Sequence, residues 1–293
     1  MIELINYLSP RMYLVWSEFN EKVSLLLTVW VLPLFCSASD VVNTDYSVSS
    51  MYSGTIGKSN ITMNLITSRD TVSGSYIYDK YKNRILLNGV VNSNSIELKE
   101  KTSNGTAAIT LVHTDKGYTG KWCDKKCVPV TIQNNNSFKD GELRDINSDD
   151  SDIDTYKINL AFKNKNESII ITDAIDPPSL EFVDINSDGF YDLVVRTDHR
   201  PNNGSQTVYL SGDNGLTEDK NLSKENGTLV YNSYKKLIVF NSKDDCCNKF
   251  NKIIYFFDNG KAVKVDNIFF DYSSNEGKNS RGDNVSKDKF ESY

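Results

Sequence analysis

Apolar and polar residues alternate in short runs along most of this chain. Ile61, Met63 and Leu65 alternate with Thr62 and Asn64, and Ile96 and Leu98 alternate with Glu97 and Lys99. A period of two belongs to strands with one buried face, whereas a helix would repeat its apolar stripe every 3.6 residues. From residue 46 to 133 the runs YSGTIG, ITMNLIT, VSGSYIYDK, RILLNGVV, SIELKEK, TAAITLVHT, GYTGKW and VPVTIQ follow one another. Turn signals such as Asn88-Gly89, Asn104-Gly105 and Lys116-Gly117 arrive at close intervals along them. Such close punctuation is that of an antiparallel meander. A second set follows beyond residue 155, including YKINLAF, SIIITDA, SLEFVDI, FYDLVVRT, KLIVFN and NKIIYFFD. The expected fold is all-β: a meander or sandwich-like N-terminal half over residues 40–140, then a second antiparallel half over residues 156–272. Residues 141–155, rich in Asp, Asn and Ser, are expected to form an acidic linker, and residues 273–293 a polar, disordered tail.

The first 39 residues break the pattern. Residues 23–35 read VSLLLTVWVLPLF without a charge, and the small residues Ser37, Ala38 and Ser39 follow. That is the apolar region and cleavage site of a signal peptide, here with an N-terminal extension. The uncharged stretch is shorter than the roughly 20 residues a membrane-spanning helix needs. An exported protein, periplasmic or secreted, is therefore expected, touching a membrane only through its export signal. A net charge of −6 with no dense basic stripe argues against nucleic acid as a partner. Export also favours disulfides. Without Cys36 in the leader, Cys123, Cys127, Cys246 and Cys247 remain. A bond between the neighbours Cys246 and Cys247 would strain the peptide between them, which leaves a Cys123–Cys127 staple or cross-pairing of the two clusters.

The sharpest chemical signal is DINSDGFYD at residues 184–192. Asp184, Asn186, Asp188 and Asp192 place oxygens at alternating positions, Gly189 permits the bend at the sixth, and Phe190 offers its carbonyl at the seventh. Ca2+ is a hard cation that takes six to eight oxygens, so this pattern predicts a calcium loop. Val195 stands at the twelfth position, where an EF-hand has Glu, and the flanks EFV and LVVRT are strands; a strand-loop-strand site is expected. The same DINSD recurs at residues 145–149, but Asp150 replaces the glycine and Ile153 the ninth-position ligand. Catalysis finds little support, because the two histidines, His113 and His199, stand in no triad or metal spacing. The tripeptide Arg281-Gly282-Asp283 lies in the polar tail and carries no further signal.

YSGTIG, ITMNLI, VSGSYIYDK, RILLNGVV and IELKEK, with FVDINSDGFYDLVV and Cys246-Cys247 ahead of IIYFFDNGKAVKV, occur in an order that resembles a particular family. These are the periplasmic calcium-binding lysozyme inhibitors that serve as immunity proteins beside antibacterial type IV secretion systems. The resemblance covers most of the chain after residue 45. It implies a non-enzymatic protein that binds and blocks a lysozyme-like peptidoglycan hydrolase. Several lysozyme-inhibitor families carry Ser-Gly-x-x-Tyr on the inserted loop; Ser73, Gly74 and Tyr76 form a version one residue shorter. The other reading of those residues is a strand with Tyr76 and Tyr78 on one face. A different class also fits the sequence, a calcium-dependent glycan-binding or adhesion module with Trp122 as its stacking platform.

Overall fold

The structure is a computed structural model that describes residues 41–42, 44–102, 105–152, 154–174, 176–198, 203–244 and 248–293. The expected signal peptide, Cys36, His199, Cys246 and Cys247 lie outside the described residues. After the short β1 (Val41–Val42), a run of hairpin-linked strands begins: β2 (Tyr46–Ile56), β3 (Ser59–Ser68), β4 (Thr71–Tyr78) and β5 (Arg84–Asn92). It continues through β6 (Ser95–Thr102), β7 (Gly105–Thr114), β8 (Gly117–Cys123) and β9 (Cys127–Asn134). Each pairs antiparallel with the next, and β9 returns to pair with β2 from Tyr52↔Asn134 to Ile56↔Val130. The expected meander thus closes into an eight-stranded barrel. Alternation then decides what fills it. Ile61, Met63, Leu65, Leu87, Ile96, Leu98, Ile109 and Leu111 point inward and are almost wholly buried.

Strand β2 serves two bodies. Its second half closes the barrel, while its first half pairs in parallel with β13 (Ser179–Val183), Tyr46 opposite Leu180 and Ser49 opposite Val183. The second half of the chain is therefore not antiparallel throughout. Here β10 (Leu143–Asp152), β11 (Thr155–Phe162) and β12 (Asn166–Ile171) form a sheet with β1. Strand β13 continues to β14 (Asp192–Arg196), β15 (Gln206–Gly212) and β16 (Gly215–Glu218), and the single-turn α1 (Lys220–Ser223) follows. The third sheet comprises β17 (Thr228–Asn232), β18 (Leu237–Lys243), β19 (Lys249–Asp258), β20 (Lys261–Asp271) and β21 (Glu276–Lys278).

Strand β14 lies in the middle layer. Leu193 and Val195 pack with Ile158, Leu160 and Ile171 on one side, while Val194 packs with Ile238, Phe240 and Ile253 on the other. That double burial explains why LVV is continuously apolar rather than alternating.

Two expectations are corrected. The acidic linker at 141–155 is largely strand β10, paired with β11 from Leu143↔Phe162 to Asp152↔Thr155, and it brings Ile146 and Leu143 to the apolar packing beneath it. The polar tail is folded as well: β21 and α2 (Lys287–Glu291) return over the outer sheet, burying Val285 and Phe290 against Ile268 and Phe270. Two apolar anchors outweigh the polar composition around them, because burying one large side chain contributes about 1.5–3 kcal/mol. Among the described residues, no helix is long and apolar enough to cross a membrane.

Candidate metal centre

The loop at residues 184–191 joins β13 to β14 and folds around its own carboxylates. Asp184 accepts from the backbone N–H of Asp188 at 3.1 Å through Oδ1 and from that of Gly189 at 3.0 Å through Oδ2. Asn186 Oδ1 accepts from the Asp188 N–H at 2.9 Å, and Asp188 Oδ1 accepts from the Phe190 N–H at 2.8 Å. Nested Asx turns of this kind need left-handed backbone, found at Ser187 (φ 62°) and Gly189 (φ 92°). Gly189 adopts that conformation without steric cost. Ser187 is fixed further by a 3.1 Å hydrogen bond between its hydroxyl and that of Tyr231 on β17.

Segment 134–138, which leaves the barrel after β9, is stitched to the same loop. Asn136 is buried; its Nδ2 donates to Asp184 Oδ2 at 2.8 Å, and its Oδ1 accepts from the Met51 N–H at 2.7 Å. Ser137 donates its N–H to the Gly189 carbonyl and accepts from the Tyr191 N–H, both at 3.0 Å. Tyr191 in turn shares a hydrogen bond with Ser50 on β2 and packs on Phe138, 4.7 Å between ring centroids. These partners lie far away along the chain, and no local pattern announced them.

The predicted donors fall into two groups. Asp184, Asn186 and Asp188 lie together on the bend, tied to one another by the hydrogen bonds above and by Asn186 Nδ2 donating to Asp188 Oδ2 at 3.0 Å; Phe190 follows them. Asp192 is set apart. It is fully buried, its Oδ2 accepts from the N–H groups of Ile185 (2.9 Å) and Asn186 (3.3 Å), and its Oδ1 accepts from that of Ser211 on β15 (2.8 Å). Accordingly, no group of three acidic, His or Cys side chains stands close enough to hold a metal among the described residues. The hard oxygen donors of the bend fit a calcium ion, with two carboxylates, one carboxamide and the Phe190 carbonyl as candidates; Asp192 anchors the loop from behind.

Burial dominates the electrostatics. It raises the Asp184 carboxyl above its ordinary value, with the charge of Asp188 adding and the backbone N–H groups opposing. Desolvation pushes Asp192 up to about 7, against three backbone hydrogen bonds that lower it. Among the described residues no lysine or arginine forms a salt bridge with either; the nearby Lys139 pairs with Asp213 at 2.7 Å. A partly buried carboxylate without a protein cation either keeps its proton or attracts an external cation.

The other predicted site residues sit in the barrel wall. Ser73, Gly74 and Tyr76 belong to β4, not to a loop, which corrects the inhibitory-loop expectation. Tyr76 is wholly buried; its hydroxyl donates to Glu100 Oε2 at 2.8 Å, its ring meets Tyr78 edge-on at 5.3 Å, and burial holds the phenol protonated well above its usual range. Trp122 is half-buried, and its indole N–H donates to the same Glu100 oxygen at 2.8 Å, so it lines the barrel rather than offering an open platform. Glu100 was legible in advance: it continues the inward phase of Ile96 and Leu98. Cys123 and Cys127 face each other across the β8–β9 turn and are disulfide-bonded, the local staple of the two pairings expected.

The opposite mouth of the barrel is open. A concavity of about 360 Å³ there is lined by Tyr52, His113, Asp115, Tyr118, Gln133 and Asn134. Compared with protein-family models, curated proteins and solved structures, the chain matches none.

Proposed function

We propose that this chain is an exported, non-enzymatic protein that binds one calcium ion on the bend at residues 184–190 and blocks a peptidoglycan-degrading hydrolase, protecting the exporting cell. The observation that carries the reading is the folded bend itself. Asp184 and Asp188 are held in place by backbone N–H groups, with a buried asparagine behind them and, among the described residues, no lysine or arginine in a salt bridge with them. Calcium would neutralise that charge and fix the bend between two core strands. The hydrolase partner rests on the sequence resemblance, and the acidic net charge of −6 suits encounter with a basic lysozyme.

The test has two arms. Calcium should raise the melting temperature, and Asp188→Ala should remove that gain. The purified protein titrated into a turbidity assay of lysozyme-driven cell-wall lysis should stop lysis at a molar ratio near one. No thermal response to calcium or chelator sinks the metal site, and unchanged lysis at large excess sinks the inhibitor.

A second reading, a calcium-dependent glycan-binding module, is favoured by the open barrel mouth. Half-buried Tyr118 and exposed His113 offer aromatic surface beside the carboxylate and carboxamides of Asp115, Gln133 and Asn134, a mixture suited to the apolar faces and hydroxyls of a sugar. Retention on polysaccharide without inhibition of lysis would select it.

A further inference from the structure

The net charge of the chain is −6, yet one end of the barrel is positive. An antiparallel meander sends alternate turns to the same end, so the β2–β3, β4–β5 and β8–β9 turns share one rim with the end of β6. That rim carries exposed Lys58 on the first turn, Lys80 and Lys82 on the second, Lys101 one residue before the end of β6, and Lys125 and Lys126 on the last. The acidic groups there are fewer. Asp124 is exposed, while half-buried Asp79 accepts from Thr62 at 2.9 Å and stands 3.8 Å from Lys82. Glu100 is buried behind the rim and occupied by Tyr76 and Trp122. Between Lys80 and Lys82 projects Tyr81, 64% exposed, with the Lys80 ammonium 5.3 Å from its ring centroid.

We infer that this rim docks on an anionic lipid bilayer. The three turns and the end of β6 lie around the end of a closed barrel rather than along a stripe, so their lysines face a plane more readily than they follow a polymer chain. An amphipathic aromatic standing out among them is the residue type that settles at the headgroup level. Each lysine brought to an anionic surface strengthens binding about fivefold, and the attraction falls off within a Debye length. The inference rests on the rim alone and is independent of the calcium loop and of any hydrolase.

The experiment is co-sedimentation of the full chain with vesicles of neutral phosphatidylcholine, with and without about 30% phosphatidylglycerol, at roughly 50 mM and 300 mM salt. The expected result is an increment of binding from the anionic lipid that shrinks at the higher salt. Lys125→Gln with Lys126→Gln should cut that increment about 25-fold. Tyr81→Ser should weaken binding while leaving its salt dependence unchanged. All three positions are exposed, and an unaltered melting temperature confirms that the variants fold. No increment from anionic lipid, or an increment unchanged in the double variant, overturns the proposal. Tighter binding to soluble polyphosphate than to vesicles at equal phosphate would assign the rim to a polyanionic chain instead, and overturns it too.

Discussion

Raising the pH of the calcium-free protein should weaken its fold, the reverse of what most carboxylates do. Asp192 is pushed from an ordinary 3.8 up to about 7 by desolvation, which outweighs the hydrogen bonds from Ser211, Ile185 and Asn186. In that interval the folded state holds a proton that the unfolded state releases. Stability is therefore greatest at the acidic end, declines as pH rises through the folded value, and levels off above it. A displacement of about 3 units at 1.4 kcal/mol each sets the loss at about 4 kcal/mol, a large share of the usual 5–15 kcal/mol of a folded domain. Asp184, raised in the same direction by burial, adds to it. Asp213, held below its ordinary value by Lys139, titrates beneath the window and does not oppose it.

Urea unfolding in chelator at about pH 5, 6, 7 and 8 measures the slope. Asp192→Asn assigns it: the amide cannot ionise, and the cost of turning its NH2 toward the Ser211 N–H, about 1–3 kcal/mol, is the same at every pH. Calcium on the bend should favour the ionised carboxylates and so stabilise more at pH 8 than at pH 5. A chelated protein whose stability is level or rises from pH 5 to 8, or an Asp192→Asn variant with the parent's slope, would show that Asp192 does not carry a proton in the folded state near neutral pH.

Other substitutions probe the remaining placements. Phe290→Ala removes a side chain that is 2% exposed and stacked on Phe270 at 5.1 Å, and should cost about 3–5 kcal/mol by urea unfolding; an unchanged midpoint would return residues 273–293 to a disordered tail. Gly74→Ala would set a Cβ 2.1 Å from the Asn64 carbonyl oxygen across the β3–β4 pair; separating the strands should cost at least about 2 kcal/mol, read as a lowered melting temperature. Tyr76→Phe withdraws one of two donors from the buried Glu100 carboxylate, at about 1–3 kcal/mol. It should leave inhibition of lysis untouched. Lost inhibition at unchanged stability would show Ser73, Gly74 and Tyr76 facing a partner after all.

Alternation was enough to read the barrel strands, because one buried face leaves a period of two in each of them. Closure was not legible. It depends on β2 meeting β9, strands separated by the whole meander, and on the first half of β2 turning away to join β13. The misread segments fail for a related reason. Strand β10 is paired by its backbone on either side, with β1 and β11, and Leu143 and Ile146 join the apolar packing, too few apolar positions to stand out from the acidic composition around them. The C-terminal return depends on two apolar anchors too widely spaced to form a run. Within the loop, the donor spacing gave the Asp184, Asn186 and Asp188 grouping, but spacing alone cannot tell a ligand from an anchor. Asp192 has the ligand's position and a buried brace's hydrogen bonds.

The position of the bend gives the calcium proposal a wider consequence. Strand β13 enters the loop directly from its parallel pairing with β2, and β14 leaves it into the doubly buried middle layer. Asn136 bridges the loop to Met51 at the point where β2 passes from one body to the other, and Tyr191 bridges it to Ser50 one residue earlier. A cation held by Asp184, Asn186 and Asp188 would therefore act on the junction of barrel and layered sheets more than on either core. The junction is held by the β2–β13 pairing and by Phe138 packed on Phe182 and Tyr191, and the polar contacts of the bend and of segment 134–138 lie at its edge, where local opening needs the least apolar surface exposed. Calcium removal should then loosen the bend and segment 134–138 before it unfolds either core. On this reasoning, amide exchange in chelator should quicken first at residues 134–138 and 184–191, while Leu98 and Val194 stay protected.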